Sequence, residues 1–307
     1  MTPVSRLEEA LRARRFAITA EITPPLSCEA DDLLRLAGPL RGLADAINVT
    51  DGASARTHMS APIAAILLAR AGFEPVLQLT CRDRNRLALE GVLMGAAACG
   101  VRNLLCLMGD DPTAGDQPQA KGVFDLDAAA LMRIARMLRD GRTLPSGRTV
   151  AGSAPFFIGA ADLPIDPPAG WFPERLGVKA AAGAQFVQTQ FCMDAGVARR
   201  YAARLGEHAQ TRELFLMIGV APIRSAKSAR WIARHLYGSI IPDHLIARLE
   251  SASDAVAEGE RICVELIEEL ACAAGIAGVH VMAPANGAAL PRVLAEARRR
   301  LGETKRS

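Results

Sequence analysis

Phe16-Ala17-Ile18-Thr19-Ala20-Glu21 and Leu104-Leu105-Cys106-Leu107-Met108-Gly109-Asp110 are two apolar runs that each end on a carboxylate, and their reading decides the fold. Runs of this length and composition read as strands buried on both faces, the kind found in parallel sheets. In a closed barrel of parallel strands the chemistry collects where strands end and loops begin, so both carboxylates would face one mouth. Thr50, Thr80 and Gln190 close further β-favouring runs, each followed by loop residues and then a helix-like stretch.

Working outward, strands are expected near 16–22, 44–50, 75–80, 102–109, 154–161, 185–190, 213–219 and 276–282. Between them lie Ala/Leu/Arg-rich stretches with helical spacing, such as 61–71, 87–99, 125–138 and 193–206. Strand-then-helix alternation repeated eight times predicts an α/β protein of the (β/α)8 TIM barrel class, read as a single domain over 1–307. An open doubly wound sheet is the competing architecture. Against it, no G-x-G-x-x-G follows the first strand; Glu21-Ile22-Thr23-Pro24-Pro25 stands there instead. The stretches 225–236 and 242–274 hold more helix than one crossover requires, so extra helices are expected before the last strand. The segments 109–122 and 161–170, rich in Asp, Pro and Gly, read as long irregular loops on the catalytic rim.

Composition narrows the function. Half of the 307 residues are hydrophobic, enough for a large core. Lys and Arg number 36 against 33 Asp and Glu, so no global field calls for nucleic acid, and Arg298-Arg299-Arg300 with Lys305-Arg306 reads as a solvated helix end. No apolar stretch reaches the roughly 18 residues that span a bilayer, and the mixed-charge N-terminus is no signal peptide, so a cytoplasmic protein without membrane partners is expected. The seven cysteines lack C-x-x-C spacing, and the five histidines lack H-E-x-x-H or other metal spacing; no metal site is expected.

Several residues are placed to carry chemistry. Glu21 ends a nearly apolar strand before the rigid Pro24-Pro25, and a partly desolvated carboxyl at a barrel mouth suits proton donation. The alternative is a carboxylate paired with an arginine. Asp110, before Asp111-Pro112, reads either as a turn-forming residue or as a ligand-facing carboxylate beside Gly109, which lets a ring approach the backbone. Gln190 offers a donor and an acceptor suited to a fused heterocycle, while Phe191 is either a stacking face or packing beneath the rim. His58 lies in a polar loop after the second strand, of the kind that touches ligands; His208, His235 and His244 read as surface helix residues.

In order and strand-end placement, Ala20-Glu21-Ile22-Thr23-Pro24-Pro25, Asn48-Val49-Thr50-Asp51-Gly52, Gln78-Leu79-Thr80-Cys81, Met108-Gly109-Asp110-Asp111-Pro112 and Lys179-Ala180-Ala181-Ala182-Gly183-Ala184 before Thr189-Gln190-Phe191 resemble the methylenetetrahydrofolate reductase family. The resemblance implies a (β/α)8 barrel in which Glu21 is the general acid that opens the methylene bridge to a reactive iminium. It implies that Asp110 holds the pterin and tunes a nearby flavin, and that Gln190 hydrogen-bonds the pterin. Thr50, Gln78, Gly109, Asp110 and Lys179 match flavin-contacting positions. The implied cofactor is FAD, with NADH or NADPH as electron donor and a tetrahydrofolate derivative as substrate.

The chain also departs from the pattern. Gln78 replaces a histidine, Met108 replaces the arginine of Arg-Gly-Asp, and Gly159-Ala160-Ala161-Asp162-Leu163-Pro164 stands where Tyr-Pro-Glu and His-Pro-Glu are usual. Losing a basic residue there weakens phosphate binding. Three functions follow as expectations: flavin-mediated interconversion of 5,10-methylene- and 5-methyltetrahydrofolate; the same folate chemistry with another electron donor or a partner protein; and a non-redox pterin-binding one-carbon transferase. A homo-oligomer is compatible with each.

Overall fold

The computed structural model describes residues 2–304 and shows the apolar runs as strands: β1 (Ala17–Ile22), β2 (Ala46–Val49), β3 (Pro75–Thr80), β4 (Asn103–Leu107), β5 (Phe157–Asp162), β6 (Phe186–Phe191), β7 (Phe215–Val220) and β8 (Gly278–Val281). All pair in parallel in chain order, and β8 returns to β1. The closed (β/α)8 barrel expected from the sequence is the observed architecture.

Helix α1 (Arg6–Arg12) precedes the barrel, and α2 (Ala30–Ala37), α3 (Ala61–Arg70), α4 (Arg86–Ala98), α5 (Ala128–Asp140), α6 (Glu174–Ala182) and α7 (Ala195–Glu207) follow β1 to β6 in turn. The expected extra helices lie between β7 and β8 as α8 (Ala226–His235), α9 (Asp243–Ser251) and α10 (Ala255–Ala271), and α11 (Leu290–Thr304) follows β8. Side chains of Asn85, Asp127, Asp194 and Asp254 accept backbone N–H groups that the first turns of α4, α5, α7 and α10 leave unpaired. Each helix buries one stripe, as α5 does with Leu131, Ile134, Ala135 and Leu138.

Alternation along the strands sorts the barrel interior into layers. At the N-terminal end Ala17, Ala46, Val76, Leu105, Phe157, Phe186 and Met217 form one apolar cluster with Leu7, Ala10 and Leu11 of α1, which closes that end. Phe157 and Phe186 stack with centroids 4.8 Å apart. Gly159 makes room for them, since a Cβ there would lie 2.3 Å from Phe186 Cζ. Asp45 locks the same end: it accepts from Ile18 N at 2.8 Å, Arg298 at 2.6 Å and Arg15 at 2.6 Å.

Above the apolar layer the interior turns polar. Thr19, Asn48, Gln188 and His280 are all buried, brought together by the register Thr19 to His280 and Glu21 to Asn48. Asn48 and Gln188 exchange amide hydrogen bonds at 2.6 and 3.1 Å, and Gln188 Nε2 also donates to Thr19 Oγ1 at 3.0 Å. Burying amides is tolerable because each finds a partner.

Arg298, Arg299 and Arg300 lie on α11 and pair with Asp45, Glu296 and Glu268 among others, so the basic stretch is an ion-paired helix face; Lys305 and Arg306 lie outside the described residues. Cys81, Cys106, Cys192 and Cys263 are buried as small hydrophobes, and burial pushes the Cys81 thiol up to about 11. Among the described residues no helix is long and apolar enough to cross a membrane.

Candidate active site

The C-terminal mouth of the barrel opens into a cavity of about 700 Å³ whose wall includes Glu21, Gln78, Gln188, Gln190 and His280, with Leu105, Leu107, Ala161 and Met282 as apolar surface. Trp171, Phe172 and Tyr237 line it from the loops. An apolar pocket with a few convergent polar groups is the usual form of a small-molecule site.

Glu21 shares this wall with the carboxylates Asp162 and Glu174, and its side chain is 23% exposed. Gln78 Nε2 donates to Glu21 Oε2 at 2.7 Å, and His280 Nε2 lies 3.4 Å from the same oxygen. No arginine pairs with Glu21 among the described residues. His280 escaped the sequence reading because a lone histidine in an apolar strand resembles core. Only closure of β8 onto β1 brings it to Glu21, 259 positions away.

Gln190 also lines the cavity; its Oε1 accepts from Phe191 N at 3.1 Å, and its NH2 group has no protein acceptor among the described residues. A β-bulge against β7 aims this end of β6: Gln188 pairs with Met217 while Phe191 pairs with Gly219, and Gly219 N donates to Thr189 Oγ1 at 2.9 Å. Phe191 is not in the cavity wall. It is 3% exposed in the core between barrel and helices, so of the two roles weighed for it, packing is what the fold provides.

Lys179, on α6, lines the cavity but is already engaged: Nζ donates to Ala161 O at 2.5 Å and stands 3.8 Å from Asp162 Oδ1. Tyr201 donates its hydroxyl to the other oxygen of Asp162, and burial followed by the Asp162 charge pushes the phenol upward, keeping it a donor.

The β2 and β4 ends behave differently from expectation. Thr50 lies outside the cavity wall, 3% exposed, with its Oγ1 buried and without a hydrogen-bond partner. Its neighbour Asp51 accepts from Thr80 N and Oγ1, both at 2.9 Å, and from Arg84 at 2.7 Å, clamping the ends of β2 and β3. Gly109 has φ +95°, and a Cβ there would lie 2.8 Å from Arg82 Cβ and 3.1 Å from Thr80 Cβ, so the close approach on that side is to the protein itself rather than to a ring. Asp110 is exposed at the rim, outside the cavity wall that Met108 joins. The His58 loop likewise packs elsewhere: Thr57 N donates to Asp116 at 3.2 Å, joining the loops after β2 and β4.

The family model described as methylenetetrahydrofolate reductase matches residues 6–298. The chain belongs to the methylenetetrahydrofolate reductase family. A Caenorhabditis elegans protein described as a probable methylenetetrahydrofolate reductase (NADPH) is 28% identical over 215 residues, which span 69% of this chain but only 30% of the worm protein. A Clostridium thermocellum protein described as binding two copies of 5-methyl-5,6,7,8-tetrahydrofolic acid shares the fold at TM-score 0.64 and 13% identity, covering 95% of this chain and 97% of that one. DmoA from Hyphomicrobium sulfonivorans is similar at TM-score 0.52 and 12% identity, covering 92% and 87%.

Members of the reductase family generally work with a flavin, and the residues here fit its ring system. The wall of Leu105, Leu107 and Ala161 offers an apolar face and Gln78 an amide. The pyrophosphate is less well served. Lys179 is held by Ala161 and Asp162, which leaves Arg175, at the start of α6, as the unpaired cation among the described residues of the wall.

Proposed function

We propose that this member of the family interconverts 5,10-methylenetetrahydrofolate and 5-methyltetrahydrofolate by flavin-mediated hydride transfer, with Glu21 as general acid. One observation carries the reading: the Glu21 carboxyl lines the cavity while Gln78 and His280 converge on a single oxygen of it, leaving the other without a donor among the described residues.

In the reductive direction the protonated Glu21 delivers its proton to N10 of the methylene bridge. The bond from the bridging carbon to N10 breaks, N10 keeps the electron pair, and the bridge becomes an iminium at N5. Glu21 is left as a carboxylate that the Gln78 and His280 N–H groups meet. The Gln190 NH2 donates to the pterin, and Asp110, two residues beyond the cavity-lining Met108, takes its outer edge. Gln78 and Lys179, which line the cavity, would hold FAD, which when bound would supply the hydride chemistry that no side chain provides. NADH or NADPH is the proposed source of electrons.

A second reading keeps the folate site but takes electrons from another donor or a partner protein. The Lys179–Asp162 contact and the replacement of basic residues by Gln78 and Met108 favour it. Visible spectroscopy separates the two. The purified protein, supplied with FAD, is reduced anaerobically with NADH or NADPH and then given methylenetetrahydrofolate. Bleaching and folate-dependent recovery of the flavin band support the main reading; folate binding without flavin binding overturns it in favour of the second.

A further inference from the structure

The polar layer inside the barrel ends on one atom of the acid. Asn48 and Gln188 fix one another through reciprocal amide bonds at 2.6 and 3.1 Å, and this orients Gln188 Nε2 to donate to Thr19 Oγ1 at 3.0 Å. The Thr19 hydroxyl therefore has its own proton to place. Two acceptors are in reach, His280 Nδ1 at 3.0 Å and Val279 O at 3.4 Å, and the nearer is the imidazole. A hydroxyl that donates to Nδ1 requires that nitrogen to be bare, so the neutral ring carries its proton on Nε2, the nitrogen 3.4 Å from Glu21 Oε2.

We infer that His280 is a positioning residue for Glu21. Its Nε2–H and the Gln78 amide both occupy Oε2, which confines the transferable proton of the cavity-lining Glu21 to Oε1, the oxygen that accepts no hydrogen bond among the described residues. The inference rests on the reading of Glu21 as the acid. Asn48 of β2, Gln78 of β3, Gln188 of β6 and Thr19 of β1 are neutral, so Glu21 is the ionisable group hydrogen-bonded to the ring, and the ring acts on the reaction through it.

The test is a mutant cycle on methylenetetrahydrofolate reduction. His280→Phe removes the donor at similar volume and is expected to lower kcat about 10- to 100-fold, as loss of an orienting partner commonly does, with KM within about threefold. His280→Gln, which restores an N–H donor, recovers most of that loss. In a Glu21→Gln background His280→Phe has no further effect, because the contribution runs through Glu21. Thr19→Val, which leaves the ring in place but frees its tautomer, lowers kcat in the same direction and changes its pH profile, and serves if His280→Phe does not fold. Unchanged kcat in both His280→Phe and Thr19→Val, or an equal loss from His280→Phe with and without Glu21, overturns the inference. Full turnover by Glu21→Gln alone instead overturns the assignment of the acid.

Discussion

Lys179 Nζ donates to Ala161 O at 2.5 Å and stands 3.8 Å from Asp162 Oδ1, so a cation matched to a flavin contact is held by the barrel's own fifth strand. Removing the carboxylate charge weakens this hold while the Ala161 bond stays. Asp162→Asn keeps an oxygen for the Tyr201 hydroxyl and is expected to tighten FAD roughly fivefold, equivalent to about 1 kcal/mol. Arg175→Ala should weaken FAD binding by a similar factor and flatten its salt dependence. Fluorescence titration at two salt concentrations checks both, and an unchanged dissociation constant in Asp162→Asn counts against the competition between Asp162 and the cofactor for Lys179.

Asp45 gives the protein a defined response to acid. Burial works to raise its carboxyl, but the Arg298 charge, the Ile18 N–H and Arg15 outweigh it and hold it below the usual value of 3.8. An unfolded chain thus takes up this proton before the native one does, so the stabilisation is complete above pH 3.8 and is lost as pH falls through the lower native value. Asp45→Asn should cost about 1–3 kcal/mol at neutral pH. Urea unfolding at a series of pH values should show the gap to the parent closing below that point; a gap independent of pH contradicts the account.

Gly159 and Phe186 test the packing beneath the site. A Cβ at Gly159 falls 2.3 Å from Phe186 Cζ, inside the stacked pair with Phe157. Gly159→Ala should destabilise by about 1–3 kcal/mol, and Phe186→Leu, which removes the ring that the new methyl group meets, should recover part of that in the double variant. Additive losses in denaturant unfolding would show that the two positions do not compete for the same volume.

The barrel was legible in the sequence because fully buried parallel strands leave continuous apolar runs, and the run ending at Glu21 ends at the mouth as read. Gln78, Gln190 and Lys179 also reach the cavity. What stayed hidden depends on contacts no local pattern encodes. Phe191 follows a bulge created by pairing with β7 and turns into the helix layer. The Gly109 turn is filled by Arg82 and Thr80 from the neighbouring strand's end. Lys179 reads as a free cation until Asp162 is seen beside it, and His280 reads as core until the barrel closes.

The central claim is that Glu21 supplies the proton that opens the methylene bridge, and Glu21→Gln tests it most directly. Anaerobic turnover of methylenetetrahydrofolate and equilibrium binding of the folate are measured on the same preparation. The account predicts a fall in turnover of at least about 100-fold, the usual scale of a positioned general acid, with folate affinity within about threefold of the parent. Turnover within twofold of the parent contradicts it.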